Sequence, residues 1–135
     1  MRWVVGFLFK NGGTEVALVM KNRPEWQRGK LNGIGGHIEA NETASEAVRR
    51  EFFEEAGADV VGWREYCVLR ERGGDVHFFV AHGERALVSK TDEAVAWYPV
   101  AALTTLPVVA NLSWLVPMAL NENVMGAFVD YVQPQ

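Results

Sequence analysis

GHIEANETASEAVRREFFEEAGA, residues 36–58, opens on a glycine, passes a polar turn and then runs into a helix that breaks the usual rule of amphipathicity. Asn41 or Thr43 can cap that helix, and Gly57 supplies its stop after Ala56. Projected at about 100° per residue, Ala44, Ala47, Val48 and Phe52 define one apolar face. Glu51 and Glu55 project inside that face and Glu54 lies on its edge, where a surface helix would carry nothing charged. Glu51 and Glu55 are also four apart, a spacing at which like charges repel by a few tenths of a kcal/mol. Carboxylates gathered toward an interior need a compensating positive charge, or they take up protons and neutralise. A divalent cation supplies it. Oxygen donors without a neighbouring Cys or His cluster suit a hard ion, Mg²⁺ or Mn²⁺, rather than zinc. The competing reading is a surface helix laced by pairs such as Arg50 with Glu54 or Glu46 with Arg50.

Upstream of the helix, Asn32-Gly33-Ile34-Gly35-Gly36 is a glycine-rich run unsuited to a helix, and its bare backbone permits close approach of a metal or phosphate. Before it, Val4–Phe9 and Glu15–Met20 are β-rich segments joined by the turn signal Asn11-Gly12-Gly13. A polar loop with Pro24 spans 21–30. Downstream, Val60–Arg70 and Val76–Ala81 read as strands around Gly73-Gly74, and Ala94–Pro99 as a further short strand. Leu112–Leu120 suggests a second helix despite Pro117, and Ala127–Val132 a last strand. Strands, helix, strands, helix in that order predict a mixed α/β sandwich in one domain over residues 1–135.

Composition narrows the classes. Half the residues are apolar and 22% are charged, ordinary for a globular protein. No apolar run reaches the roughly 20 residues of a membrane span. Met1-Arg2-Trp3-Val4 enters the first strand without a signal-peptide pattern, and Cys67 is the sole cysteine, so the expectation is a cytoplasmic protein with no disulfide framework. A net charge of −4 argues against a nucleic-acid polymer as partner, because a polymer groove needs a basic stripe. The one basic group, Lys21, Arg23, Arg28 and Lys30, suits the few phosphates of a single nucleotide.

The spacing of Gly36, Glu42, Arg50, Glu51, Glu54, Glu55 and Gly57 resembles the Nudix box, Gly-x5-Glu-x7-Arg-Glu-U-x-Glu-Glu-x-Gly-U, with U a bulky apolar residue. All seven fixed positions match, a coincidence on the order of one in a million at ordinary residue frequencies. Phe52 fills the first U and the small Ala58 the last, and neither bears on the chemistry. The resemblance implies a Nudix α/β/α sandwich with a mixed central sheet and the characteristic loop–helix. It implies Glu54, Glu55 and the Gly36 carbonyl as metal ligands, with Glu51 helping to hold metal or to orient the attacking water. It makes Arg50 and Glu42 a buried pair tying loop to helix. Relatives also draw a ligand or base from a later acidic loop, for which Asp92 and Glu93 are the candidates here; plain solvated loop charge is the alternative. The implied chemistry is metal-assisted attack of water on phosphorus.

Substrate is read from weaker signals. MKNRPEWQRGKLNGIGGHIE, residues 20–39, resembles the corresponding segment of the MutT-like branch, implying hydrolysis of a nucleoside triphosphate, oxidised or otherwise non-standard bases included, to nucleotide and pyrophosphate. On that likeness Lys21 and Arg23 contact phosphates, while Asn32 and Asn111 touch the base. The bland counterparts are loop charges, a turn asparagine and a helix cap. Trp26, Trp97, Trp114, Trp3 and Phe78 are aromatic candidates for stacking, and His37 for a phosphate contact. The other substrates compatible with the box are ADP-ribose or a dinucleotide. A non-catalytic ligand-binding module of the same fold would be expected to lose box carboxylates, and this chain keeps them. The partner expected is thus one small nucleotide, with the protein a monomer or homodimer and no membrane contact.

Overall fold

The computed structural model describes residues 1–132; the last three positions of the single domain expected over 1–135 lie outside the described residues. Eight strands form one mixed sheet: β1 (Arg2–Lys10), β2 (Glu15–Met20), β3 (Leu31–Asn32), β4 (Ile34–His37), β5 (Arg64–Glu71), β6 (Gly74–His82), β7 (Val95–Pro99) and β8 (Ala127–Asp130). The main path runs β3-β2-β1-β6-β5-β8, with β4 added to β1 and β7 to β2. β1 lies parallel to β6, and β5 to β8, while the other pairs are antiparallel.

The period-2 alternation of β1 gives the sandwich its two faces. Val4 and Leu8 pack on the side of α1 (Ala44–Ala56), with Val48, Phe52, Ile34 and Val19. Phe7 and Phe9 pack on the other side, with Leu112, Leu115 and Val116 of α2 (Leu112–Leu120). The chain therefore forms the α/β/α sandwich with a mixed central sheet that the sequence predicts. Tyr66, fully buried, donates its hydroxyl to the Leu115 carbonyl at 2.9 Å and ties α2 to the sheet.

Three segments differ from expectation. The glycine-rich run, expected only to avoid helix, is mostly strand, contributing to β3 and β4, because Gly35 lies so close to β1 that a Cβ would stand 1.8 Å from the Val4 carbonyl oxygen. Only glycine pairs there. β5 begins at Arg64, four residues later than the apolar run suggests, since Gly62 turns the backbone to φ +81°. Val60 and Trp63 are apolar because they pack under α1, not because they are strand. The last strand ends at Asp130, two residues early.

Candidate active site

Local rules place the helix. Thr43 accepts the Glu46 N–H at 3.1 Å while Glu46 accepts the Thr43 N–H at 2.9 Å, a reciprocal cap that selects Thr43 over Asn41. Gly57 closes the helix at φ +71°, the left-handed turn glycine adopts without strain. So held, α1 turns Glu51 and Glu55 inward. Glu55 is 9% exposed, and its Oε2 meets no hydrogen-bond partner. Gly36 makes room for Glu51: a Cβ at Gly36 would stand 2.5 Å from the Glu51 carboxylate. Glu54, at the edge of the face, is exposed and leans to Arg50 Nη1 at 3.2 Å.

Arg50 knots the loop to the helix. Its Nε and Nη2 donate to the two oxygens of Glu42 at 2.6 and 2.9 Å, Nη2 also to the His37 carbonyl at 3.0 Å, and Nη1 to Glu51 at 2.9 Å. The Glu42 carboxyl is held below the usual range, chiefly by the Arg50 hydrogen bonds. The inner face behaves oppositely. Burial pushes Glu55 up to about 7, and the neighbouring Glu51 charge pushes the same way, against a smaller opposing pull from Lys21. Burial raises Glu51 too, despite Arg50.

Glu93 belongs to the same neighbourhood, its charge acting on Glu55. It is 4% exposed and pairs with Lys21 Nζ at 3.0 Å, while Asp92 pairs with the exposed Arg23. Lys21 and Arg23, expected at phosphates, thus rest on the chain's own acidic loop. The backbone donors that join this contact, from Asn22 and Arg23, carry no side-chain signature and could not be found by sequence reading.

The base-side candidates divide. Asn32 has both ends of its amide engaged, Oδ1 accepting the Gly33 N–H at 2.8 Å and Nδ2 donating to Gln27 at 3.0 Å. Asn111 occupies the N-cap position of α2, but its side chain makes no capping bond. Both lie on one edge of the sheet, where Leu31 N–H donates to the Pro107 carbonyl at 2.7 Å and Val109 N–H to the Leu31 carbonyl at 3.0 Å. Phe78 is core. Trp97 lies under Lys10 Nζ at 4.5 Å, and Trp3 donates to His37 Nε2 at 3.3 Å. Trp26 is exposed.

A hard divalent cation fits the inner face of α1. A buried carboxylate oxygen without a donor, two carboxyls driven up by burial and by neighbouring carboxylates, and an all-oxygen set are what such an ion would relieve. Among the described residues no three acidic, His or Cys side chains stand together as a ready ligand group, because Glu54 is drawn to Arg50 and Glu93 to Lys21. Two surface grooves lie elsewhere, one of about 500 Å³ beside Lys10, Arg85 and Trp97, the other on the outward side of α1 at Phe53. Neither includes Glu51 or Glu55. A polyphosphate site depends on charges and donors more than on enclosed volume, so the carboxylate face is the better candidate.

The model of the NUDIX domain matches residues 1–115. No curated protein matches the sequence. Solved structures with the same fold include the NUDIX domain of Shewanella oneidensis NrtR in complex with ADP ribose, 20% identical over 88% of this chain and 85% of that one, TM-score 0.76. A MutT NUDIX hydrolase from Burkholderia pseudomallei is 19% identical over 87% and 95%, TM-score 0.74. An ADP-ribose pyrophosphatase from Streptococcus suis is 18% identical over 94% and 97%, TM-score 0.73.

Proposed function

Because the chain belongs to the NUDIX domain family, we propose that it hydrolyses a nucleoside triphosphate to nucleotide and pyrophosphate with the help of a divalent metal ion, Mg²⁺ or Mn²⁺. The observation that carries this reading is Glu55, a carboxylate buried beside Glu51 with an oxygen that nothing in the protein satisfies. Glu51, Glu54, Glu55 and the Gly36 carbonyl would hold the metal, which supplies positive charge against the pyrophosphate oxygens and lowers the pKa of water. Arg50 and Glu42 keep the 37–43 loop and α1 in one register, so the carboxylates stay aimed. Lys21 and Arg23 contribute cations toward the phosphates. Asn111, whose amide is unspent by capping, pairs with a base edge through donor and acceptor. Asn32 contributes less directly, since Gln27 and Gly33 already hold it. The enzyme works in the cytoplasm as a monomer or homodimer.

A second reading keeps the same centre with ADP-ribose or a dinucleotide as substrate. The two similar structures associated with ADP-ribose favour it, since the sandwich common to them and this chain accommodates that ligand or its hydrolysis elsewhere. A panel of dGTP, ATP, ADP-ribose and a dinucleotide, each with Mg²⁺ and with products separated by chromatography, decides between them. Turnover of triphosphates with release of pyrophosphate supports the first reading. Turnover of ADP-ribose alone replaces it with the second, and turnover of none returns the domain to a ligand-binding role.

A further inference from the structure

Glu93 precedes β7, and three donors of one short turn converge on it. Lys21 Nζ lies 3.0 Å from Oε1, and the peptide N–H groups of Asn22 and Arg23 reach Oε2 at 2.6 and 3.2 Å. The loop carrying Glu93 is braced as well. The Glu93 N–H donates to the Thr91 hydroxyl at 3.1 Å, the Asn22 amide donates to the Asp92 carbonyl at 2.9 Å, and Arg23 Nη1 reaches the Asp92 carboxylate at 3.1 Å. The turn after β2 therefore presents an ammonium and two consecutive peptide N–H groups to one anion, and the chain supplies that anion itself.

A carboxylate in this setting is badly placed to act as a base. A general base needs a lone pair directed at the proton it takes, and three of the roughly four lone-pair sites of the Glu93 carboxylate already accept charge-assisted or peptide hydrogen bonds, two on Oε2 and one on Oε1. Burial pushes its carboxyl up, but the bonds from Asn22 and Lys21 outweigh burial and leave it below the ordinary value. Glu55 is the reverse case, buried with an oxygen no donor reaches.

We propose that Glu93 is a positioning residue that fixes the Lys21 ammonium and the Asn22–Arg23 peptide N–H groups beside the acidic face of α1, and that it takes no proton from the attacking water. A lysine otherwise loses freedom in its long stem each time it meets a phosphate; here Glu93 has ordered it beforehand. The Lys21 ammonium so held is near enough to the acidic face for its charge to act on Glu55. The catalytic relevance rests on the proposed hydrolysis, whereas the cradle itself stands on the distances alone.

The test has two arms. In amide hydrogen exchange on the full chain without nucleotide, Asn22 and Arg23 are expected to be protected, and Glu93→Ala to speed their exchange at least tenfold without changing the amides of β6. Unprotected Asn22 and Arg23 amides in the parent protein would overturn the cradle. The kinetic arm uses Glu93→Gln, Lys21→Met and the double variant on whichever nucleotide of the panel is turned over with Mg²⁺. Each single variant is expected to lose about 10- to 100-fold in kcat/KM, the double to lose no more than the worse single, and the acidic limb of the pH–rate profile to persist in Glu93→Gln. Multiplied losses in the double variant, or disappearance of that limb, would make Glu93 a base acting independently of Lys21. If no nucleotide is turned over, the functional reading has failed, and the exchange arm still judges the cradle.

Discussion

Glu42, at the loop end of α1, gives both oxygens to one guanidinium, at 2.6 and 2.9 Å from Arg50; Glu55, on the inner face of the same helix, is buried with one oxygen that meets no donor. The first carboxyl is pulled below its usual range and the second is pushed up to about 7. A satisfied charge works as a tie: it holds the 37–43 loop against the helix and favours the fold. An unsatisfied one costs stability, at most about 3 kcal/mol for a shift of this size when the group is forced to ionise. Its presence on a helix face that alanine would fill without that cost argues that its use lies in binding what the fold does not provide.

The sharpest way to break this contrast is Glu55→Gln, which keeps shape and removes charge. Turnover of the preferred nucleotide should fall by about two orders of magnitude or more if Glu55 is the metal ligand proposed above. The metal-free protein should nevertheless become more stable at pH 8, by about 1–3 kcal/mol, as read from denaturant melts. Glu54→Gln should share the loss of turnover without the gain in stability, since Glu54 is exposed. A folded Glu55→Gln protein with near-normal activity would remove the metal assignment.

Arg50→Ala attacks the other region. It leaves Glu42 and Glu51 without their main counter-charge, both of them largely shielded from water. Breaking a buried pair costs several kcal/mol, and partial exposure here reduces that to about 2–3 kcal/mol. The loss should appear in melts with or without Mg²⁺. A change confined to the Mg²⁺-bound protein would mean that Arg50 serves the metal site and is no structural tie.

The contrast also has a pH signature. Folded, Glu55 keeps its proton up to about 7, against 4.5 for the ordinary group. Folding therefore takes up a proton between those values; its stabilisation is full below the lower figure and is lost as pH rises through the upper. Glu42 runs the other way, stabilising above its unfolded value and failing in acid. Subtracting the stability profile of Glu55→Gln from that of the parent isolates the first trend. A flat difference from pH 4.5 to 8 would show that Glu55 is not strained.

How far each region can be read from sequence follows from the kind of contact that builds it. Thr43, Gly57 and the inward azimuth of Glu51 and Glu55 are local, set by residues three or four apart, and the helix appears where its pattern predicts. The alternation of Val4, Phe7, Leu8 and Phe9 assigns both faces of the sheet for the same reason. β4 is hidden because glycine reads as a breaker, and its reason for being glycine lies across the sheet at Val4. The grip of Lys21 and Asn22 on Glu93 joins segments some seventy positions apart and uses peptide N–H groups common to any sequence. Glu54 stood on the edge of the projected face, where a small rotation decides between inside and outside. It turned out.

Metal addition should close part of the gap between the two regions. Mg²⁺ at ten times its dissociation constant stabilises a folded state that alone binds it by about 1.4 kcal/mol, a shift of a few degrees in Tm. The shift should grow when a nucleotide adds phosphate oxygens to the ion's shell. It should vanish in Glu55→Gln and survive in Glu42→Gln. Equal shifts in both variants would place the ion away from the inner face.

Asn111 extends the comparison to a neutral group and carries the smallest expected effect. Its amide sits at the first turn of α2 without capping it, so it is polar capacity left over, as Glu55 is, but half-buried and uncharged. If leftover polar groups in this protein mark binding, Asn111→Ala should lower kcat/KM about tenfold, or ~1.4 kcal/mol, for the nucleotide whose base it reads. Cleavage of a triphosphate bearing a different base should change little, because in the proposed site the metal and cations, not Asn111, hold the phosphates. Stability should hardly move, since no cap bond is lost; a true cap would cost about 1 kcal/mol. Steady-state kinetics on two triphosphates beside one melting curve distinguish the cases. Equal losses on both substrates with a lowered Tm would return Asn111 to the role of a helix cap and confine the meaning of an unsatisfied group to the charged face of α1.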